Sequence, residues 1–282
     1  LASSHFLLLK EKKNKKKKMK LDLCLLSCDL NPDYYLFFPF VRKMWKEIVG
    51  IDCVLILVGN EIPYPLLSEK EHIIMFPPIQ NIPTGFQAQC IRILYPCLLK
   101  NKYNGIIISD MDIIPLNKDF FLQVEKYTNN EFVIYRDVIS EYRQYPICYC
   151  AASSQTWTDI FDIHIMNDLR TTLESWYTKN DYKISSPSSE MWAQDQVKLY
   201  EAINLYEITT KVSDIPFFKR KVIRLYDEDT KFTRLDRSNI EYISNHVDDV
   251  KKDIINHKYS DFHLPRPYDK YKNLLNSLFY FR

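Results

Sequence analysis

Short apolar runs alternate along this chain with stretches whose apolar residues recur every three to four positions. Leu21-Asp-Leu-Cys-Leu-Leu-Ser27 reads as a first strand, and Asn31-Pro-Asp33 then opens a helix to about Val49. Phe37, Phe40, Val41, Met44, Trp45 and Ile48 share one face of that helix. Cys53–Val58 and Ile73–Phe76 are further strands, and a helix follows from about Phe86 to Lys100. On it Cys90, Ile91, Leu94, Cys97 and Leu98 make the buried stripe, and Gln89 and Arg92 fall on the polar side. Pro96 lacks the backbone donor a continuous helix needs, so it should kink or divide the segment. The repeated strand–helix order predicts an α/β fold with a mostly parallel sheet flanked by helices.

The next apolar run carries the chemistry. Tyr103-Asn-Gly-Ile-Ile-Ile-Ser-Asp110-Met-Asp112-Ile-Ile-Pro115 reads as a strand buried on both faces that ends in two aspartates. Continued as a strand, that spacing puts both carboxylates on one side with Cα atoms about 6.5 Å apart. Two like charges at the end of a buried strand cost several kcal/mol per ion unless compensated. A divalent cation compensates them with carboxylate oxygens as ligands. In open α/β sheets ligands collect outside the carboxyl ends of strands, where this pair falls.

Further on, a helix (Asp119–Tyr127), strands (Glu131–Tyr135 and Ile147–Ser154) and a helix (Thr156–Arg170) are expected. Ser185–Glu190 is a loop leading to a helix that carries Trp192, Asp195, Gln196, Val197, Leu199 and Tyr200. Beyond about residue 210 the periodicity weakens, leaving a strand at Val222–Leu225 and a last helix, Tyr271–Phe281.

Charge changes the picture at one end. The 282 residues have a formal charge of +2, but residues 1–20 hold eight Lys and one Glu, a net +7. The remaining 262 therefore carry 2 − 7 = −5. A mildly acidic body argues against specific nucleic-acid binding, and the lysine run Lys10–Lys20 reads as a solvated, disordered tail. The expected organisation is that tail followed by one domain over residues 21–282, with a core to about residue 200 and a C-terminal elaboration. No transmembrane segment is expected, because His5-Phe-Leu-Leu-Leu9 is too short to span a bilayer.

Only four glycines occur, and neither G-x-x-x-x-G-K nor G-x-G-x-x-G is present. A glycine cradle for phosphate is thereby excluded, and the work falls to a metal. The seven cysteines are odd in number and form no C-x-x-C pair, which predicts reduced core thiols and a cytoplasmic setting.

With Gln89-x-x-Arg92-x-Leu-Tyr-Pro96, Ile-Ile-Ile-Ser-Asp110-Met-Asp112 and Asp195-Gln196, the chain resembles GT-A-fold glycosyltransferases that use nucleotide sugars. It looks closest to glycogenin-like enzymes and small glycosyltransferases of large DNA viruses. The resemblance covers roughly residues 21–200. It implies transfer of a sugar from a nucleotide-diphosphate donor, UDP-sugar foremost, to a glycan or glycoprotein acceptor, with Mn²⁺ or Mg²⁺ as cofactor. Carried over residue by residue, it makes Asp112 the chief metal ligand and Asp110 a shared ligand of metal and ribose. Arg92 and Arg266 fall to the diphosphate. Ser27 and Asp29, at the end of the first strand, fall to base and ribose, with Tyr34 or Tyr35 stacking. Asp195, with Gln196 beside it, faces the anomeric carbon or the acceptor, as the base of an inverting transfer or the stabilising charge of a retaining one. A late histidine closes the metal shell. His246, His257 and His263 are the candidates, and Asp261-Phe-His263-Leu-Pro-Arg266 favours His263 as a loop ligand close to an arginine. The chain departs from the family at Cys150-Ala-Ala-Ser-Ser154, where a small glycine-containing segment is usual.

Two other classes fit an Asp-x-Asp after an apolar strand. A haloacid-dehalogenase-type phosphohydrolase uses one aspartate as nucleophile with Mg²⁺ bound, and His246-Val-Asp248-Asp249 resembles its distal acidic pair. In that class, however, the motif opens the domain, whereas here three strands precede it. A non-catalytic binder of nucleotide sugars is the third class.

Overall fold

The structure is a computed structural model that describes residues 17–100, 102–179, 193–212, 221–225 and 232–279. The Ser185–Glu190 loop, Trp192, most of the lysine run and the end of the last helix lie outside the described residues. Of that run, Lys17 and Met19 form backbone hydrogen bonds to Asn129 and Tyr127, and Met19 is buried.

A seven-stranded sheet forms the centre. In chain order its strands are β1 (Leu21–Asp29), β2 (Asp52–Val58), β3 (Ile73–Phe76), β4 (Gly105–Ser109), β6 (Glu131–Tyr135), β7 (Tyr149–Ala152) and β8 (Lys221–Leu225). Their order across the sheet is β3-β2-β1-β4-β7-β6-β8, parallel except where β7 runs against β4 and β6. The fold is thus α/β with a mostly parallel sheet, as expected. A second sheet, of three strands, packs β5 (Ile113–Pro115) and β9 (Thr233–Asp236) on either side of β10 (Tyr259–His263).

The apolar runs have no polar alternation because both faces of the sheet are covered. Period-2 geometry sorts their side chains into two cores. Leu26, Leu55, Ile107 and Val133 join Trp45, Phe121 and Phe262 on one face. Leu25, Ile56, Ile108 and Ile134 join Ile91, Trp157 and Leu199 on the other. At Gly105 a Cβ would come within 2.5 Å of the Lys20 carbonyl oxygen. Only glycine lets β4 lie this close to the start of β1.

Helices form where periodicity predicts them, but in shorter pieces. The segment expected from residue 31 to 49 is a turn of helix at Pro32–Tyr35, a helix at Phe38–Met44 and a wider π-turn at Trp45–Val49. Gly50 closes it in the left-handed region, at φ 86°. The helix of the Gln89-x-x-Arg92 stretch runs Thr84–Leu94 and tightens into a 3₁₀ turn at Tyr95–Leu99, so Pro96 does divide it. The helix expected over Thr156–Arg170 is two, Ser154–Phe161 and Met166–Lys179, parted where Asp162 takes a left-handed conformation. Asp195 sits in the first turn of the helix Gln194–Val212.

The weakly periodic C-terminal part contains elements the sequence reading did not anticipate: β9, β10, and helices at Ile240–Asn245 and Val247–Ile255. β9 and β10 are short and polar, and they fold because buried Asp261 ties them to the main sheet. It accepts from Arg136 Nη2 at 2.6 Å, Arg234 Nε at 2.7 Å and Tyr149 Oη at 3.2 Å. Burial raises the Asp261 pKa, but Arg234 and Arg136 outweigh it, and the net shift is downward.

Candidate functional site

The chain steps outward from β1 through β2 to β3, then crosses back to place β4 on the other side of β1. That reversal leaves a crevice beyond the carboxyl ends of β1 and β4, the usual position of a ligand site in such sheets. A cleft of about 1030 Å³ opens there. Ser27, Asp29, Arg92, Asp110, Asp112, Asp195, Gln196, His263 and Arg266 all line it. They come from five separate stretches of chain, and Tyr34 joins them. His246 does not, and stacks instead on exposed Tyr242. His257, in the turn after the Val247–Ile255 helix, and Tyr35 are also absent from the lining.

The two aspartates do not continue the strand. β4 ends at Ser109, and Asp110-Met111-Asp112 forms the turn into β5. The expectation of two carboxylates side by side on one strand face gives way to a turn that sends them to different partners. Asp110 accepts a short hydrogen bond from Arg92 Nη1. Asp112 is buried and faces the C-terminal sheet, where Arg237 Nη1 lies 2.9 Å, Arg266 Nε 3.3 Å and His263 Nε2 3.5 Å from its Oδ2.

Arg92 is not on a polar helix face. It is only 7% exposed, and besides Asp110 its Nη2 donates to Asp195 Oδ2 at 3.0 Å. The helix Thr84–Leu94 is buried on nearly all sides, so its one cation points inward to two carboxylates. Burial pushes the Asp195 carboxyl up to about 6, and nearby Asp110 adds to the rise, despite the opposing charge of Arg92. The Arg92 guanidinium stays charged. Burial disfavours that charge, but Asp110 and Asp195 more than compensate and raise its pKa.

Around Asp112 the balance is reversed. Burial raises its pKa, but His263, Arg266 and Arg237 outweigh that and hold the carboxyl below its usual range. His263 is the last residue of β10, not a loop residue, and its register opposite Ile113 brings it to Asp112. Its Nδ1 lies 3.1 Å from Asp236 Oδ2 at the end of β9. Nε2 is thus the ring nitrogen that faces Asp112: protonated, it supports the carboxylate, and neutral with the proton on Nδ1, it would offer its lone pair to a cation. Asp112 and His263 are therefore a carboxylate and an imidazole turned toward one another, a donor set that fits a divalent cation. Among the described residues no group of three such side chains converges, because Asp110 faces Arg92.

Other contacts fix the rim. Asp29 accepts from Thr84 Oγ1 at 2.8 Å, Ser27 Oγ donates to the Ala88 carbonyl, and the Asp195 carboxylate accepts the Gln196 backbone N–H at 2.9 Å. Arg266 hydrogen-bonds Tyr34 Oη and lies over the Tyr34 ring, 5.0 Å from its centroid. Arg234 and Arg237 also line the cleft, and the sequence reading did not single them out. Their signal was local: Thr233-Arg234-Leu235-Asp236 alternates with period two, and Asp236 caps the next turn through the Ser238 N–H.

No family model matches the sequence, and no curated protein does. Among solved structures the chain is similar to the galactosyltransferase LgtC in complex with donor and acceptor sugar analogues. The identity there is 13%, over 91% of this chain and 96% of that one, with a TM-score of 0.44. It is similar to the glycosyltransferase GlyE of Streptococcus pneumoniae TIGR4 at 11% identity, over 94% of this chain and 60% of that one, TM-score 0.44. A glycosyltransferase involved in glycosylation of the major capsid of PBCV-1 is 9% identical over 90% of this chain and 99% of its own, TM-score 0.40.

Proposed function

We propose that the chain is a metal-dependent glycosyltransferase that takes a sugar from a nucleotide-diphosphate donor, UDP-sugar foremost, to a glycan or protein acceptor. The observation that carries the reading is the division of charge across the Asp110–Asp112 turn. On the Asp112 side cations are in excess, which suits a diphosphate leaving group. On the Asp110 side one buried guanidinium serves two carboxylates. That surplus of negative charge suits a sugar carbon that becomes positive as its bond to the phosphate breaks.

Asp112 and His263 are the residues that would hold Mn²⁺ or Mg²⁺, and Asp110, the further ligand the resemblance implies, would have to leave Arg92 to join them. The ion would supply charge neutralisation at the diphosphate. The remaining work belongs to side chains. Arg266 receives phosphate oxygens, with Tyr34 fixing its plane. Ser27 and Asp29 bind the nucleoside end. Asp195 supplies negative charge near the anomeric carbon, and a pKa of about 6 also suits it to receive the acceptor proton. Arg92 holds Asp110 and Asp195 in place and is a positioning residue. A phosphohydrolase reading would need one of the two aspartates free to attack phosphorus, yet Asp110 is clasped by Arg92 and Asp112 by Arg237.

The test is a melting-temperature panel of UDP, GDP and their sugars, with Mn²⁺ and with EDTA, followed by donor hydrolysis or transfer assays. A shift with one nucleotide diphosphate that EDTA abolishes, together with sugar release, is the expected result. Covalent phosphorylation of an aspartate by a phosphate ester would overturn the reading.

A further inference from the structure

Resting on the donor reading above, the arrangement around Asp112 assigns a role to Arg237. Its Nη1 and the Nε of Arg266 approach a single oxygen, Asp112 Oδ2. A guanidinium has five N–H donors in a planar fork, so one shared oxygen uses few of the ten available. The two arginine side chains keep 32% and 30% of their surface exposed, whereas that of Asp112 keeps 8%. The cations are therefore more open to solvent than the anion they share, and all three side chains line the cleft. Arg237 is set in place by the turn Arg237–Asn239, capped by Asp236. Arg266 is set in place by Tyr34.

We infer that Arg237 and Arg266 form a clamp that binds diphosphate without any metal, and that Asp112 is an internal anion competing for the same guanidinium groups. A planar fork suits phosphate oxygens, and a doubly charged ligand outbids one carboxylate for two cations. Arg237 thereby takes the second phosphate-binding place that the sequence suggested for Arg92, whose donors are committed to Asp110 and Asp195.

The probe is inorganic pyrophosphate, titrated calorimetrically at low salt in EDTA against the full chain and two variants. Wild type is expected to bind. Arg237→Gln weakens that binding about tenfold or more, the loss of a charge-assisted contact. Asp112→Asn strengthens it, roughly threefold or more, because the competing charge is gone. Arg266→Gln repeats the loss independently if Asp112→Asn fails to fold. Equal affinity in wild type and Arg237→Gln, weaker binding by folded Asp112→Asn, or no binding by wild type in EDTA would each overturn the clamp. The donor reading is judged separately, by metal-dependent nucleotide-sugar binding and turnover. Either result can fail while the other stands.

Discussion

Asp110 and Asp112 are two residues apart and lie in opposite electrostatic surroundings. Asp110 shares one buried guanidinium with Asp195, so anions outnumber cations there. Asp112 faces two arginines, so cations outnumber anions around its carboxylate. The difference arises because β4 stops at Ser109 and the turn into β5 aims successive aspartates at different parts of the fold. One looks toward helices that pack on the main sheet, the other toward the three-stranded C-terminal sheet. A motif that reads as a symmetric pair is a boundary between a negative and a positive half of one cleft.

The comparison breaks most visibly at Asp112. Asp112→Ala should lower transfer by roughly 10³-fold with the fold intact, as removal of a central charge-organising group does. Steady-state kinetics beside circular dichroism checks this, and retained turnover would sink the role. On the negative side the largest effect is on stability. Arg92→Leu strands Asp110 and Asp195 without their cation, and loss of about 3–5 kcal/mol is expected in denaturant unfolding. A fully stable Arg92→Leu protein would show that the two carboxylates do not depend on it.

The titration of Asp195 gives a smaller and signed test. Its folded pKa of about 6 lies above the ordinary carboxyl value, so the folded state binds the proton more tightly than the unfolded chain. The stability this contributes is complete below the unfolded value, about pH 3.9, and is lost as pH rises through about 6. Asp195→Asn should therefore gain stability relative to wild type between about pH 4 and 6, by at most about 1.4 kcal/mol per pH unit. Parallel melting curves for the two proteins across that window would refute the shift. The smallest change expected is at the edge of the positive half. Tyr34→Phe removes the acceptor that orients Arg266, and it should weaken pyrophosphate or nucleotide-diphosphate binding by about 1 kcal/mol. Isothermal titration reads that loss, and unchanged affinity would mean the ring alone sets the arginine.

Much of the main sheet was legible because its strands are continuous apolar runs, and a run such as Ile106–Ile108 fits few environments other than a sheet covered on both faces. Ser27, Asp29, Asp110 and Asp112 stood out for the same reason, since each is polar where a buried strand ends. Arg92 was visible as a residue but not as a buried one. Its environment depends on Asp110, 18 positions away, and Asp195, 103 away. Arg234 and Arg237 were missed because β9 is short and polar, and it acquires strand geometry only through its pairing with β10.

The sequence by itself determined the α/β class, the position of the aspartates after β4 and the division of the Gln89–Pro96 helix at Pro96. Those follow from local sterics and from the period of apolar residues, which act over a few positions. Only the tertiary structure decided which charge meets which. It gave Asp110 a shared guanidinium and Asp112 a surplus of them, and it brought His263, rather than His246 or His257, into the cleft beside Asp112. Such pairings are set by strand order and register between distant segments, and no local pattern records a charge balance that exists only once those segments have packed.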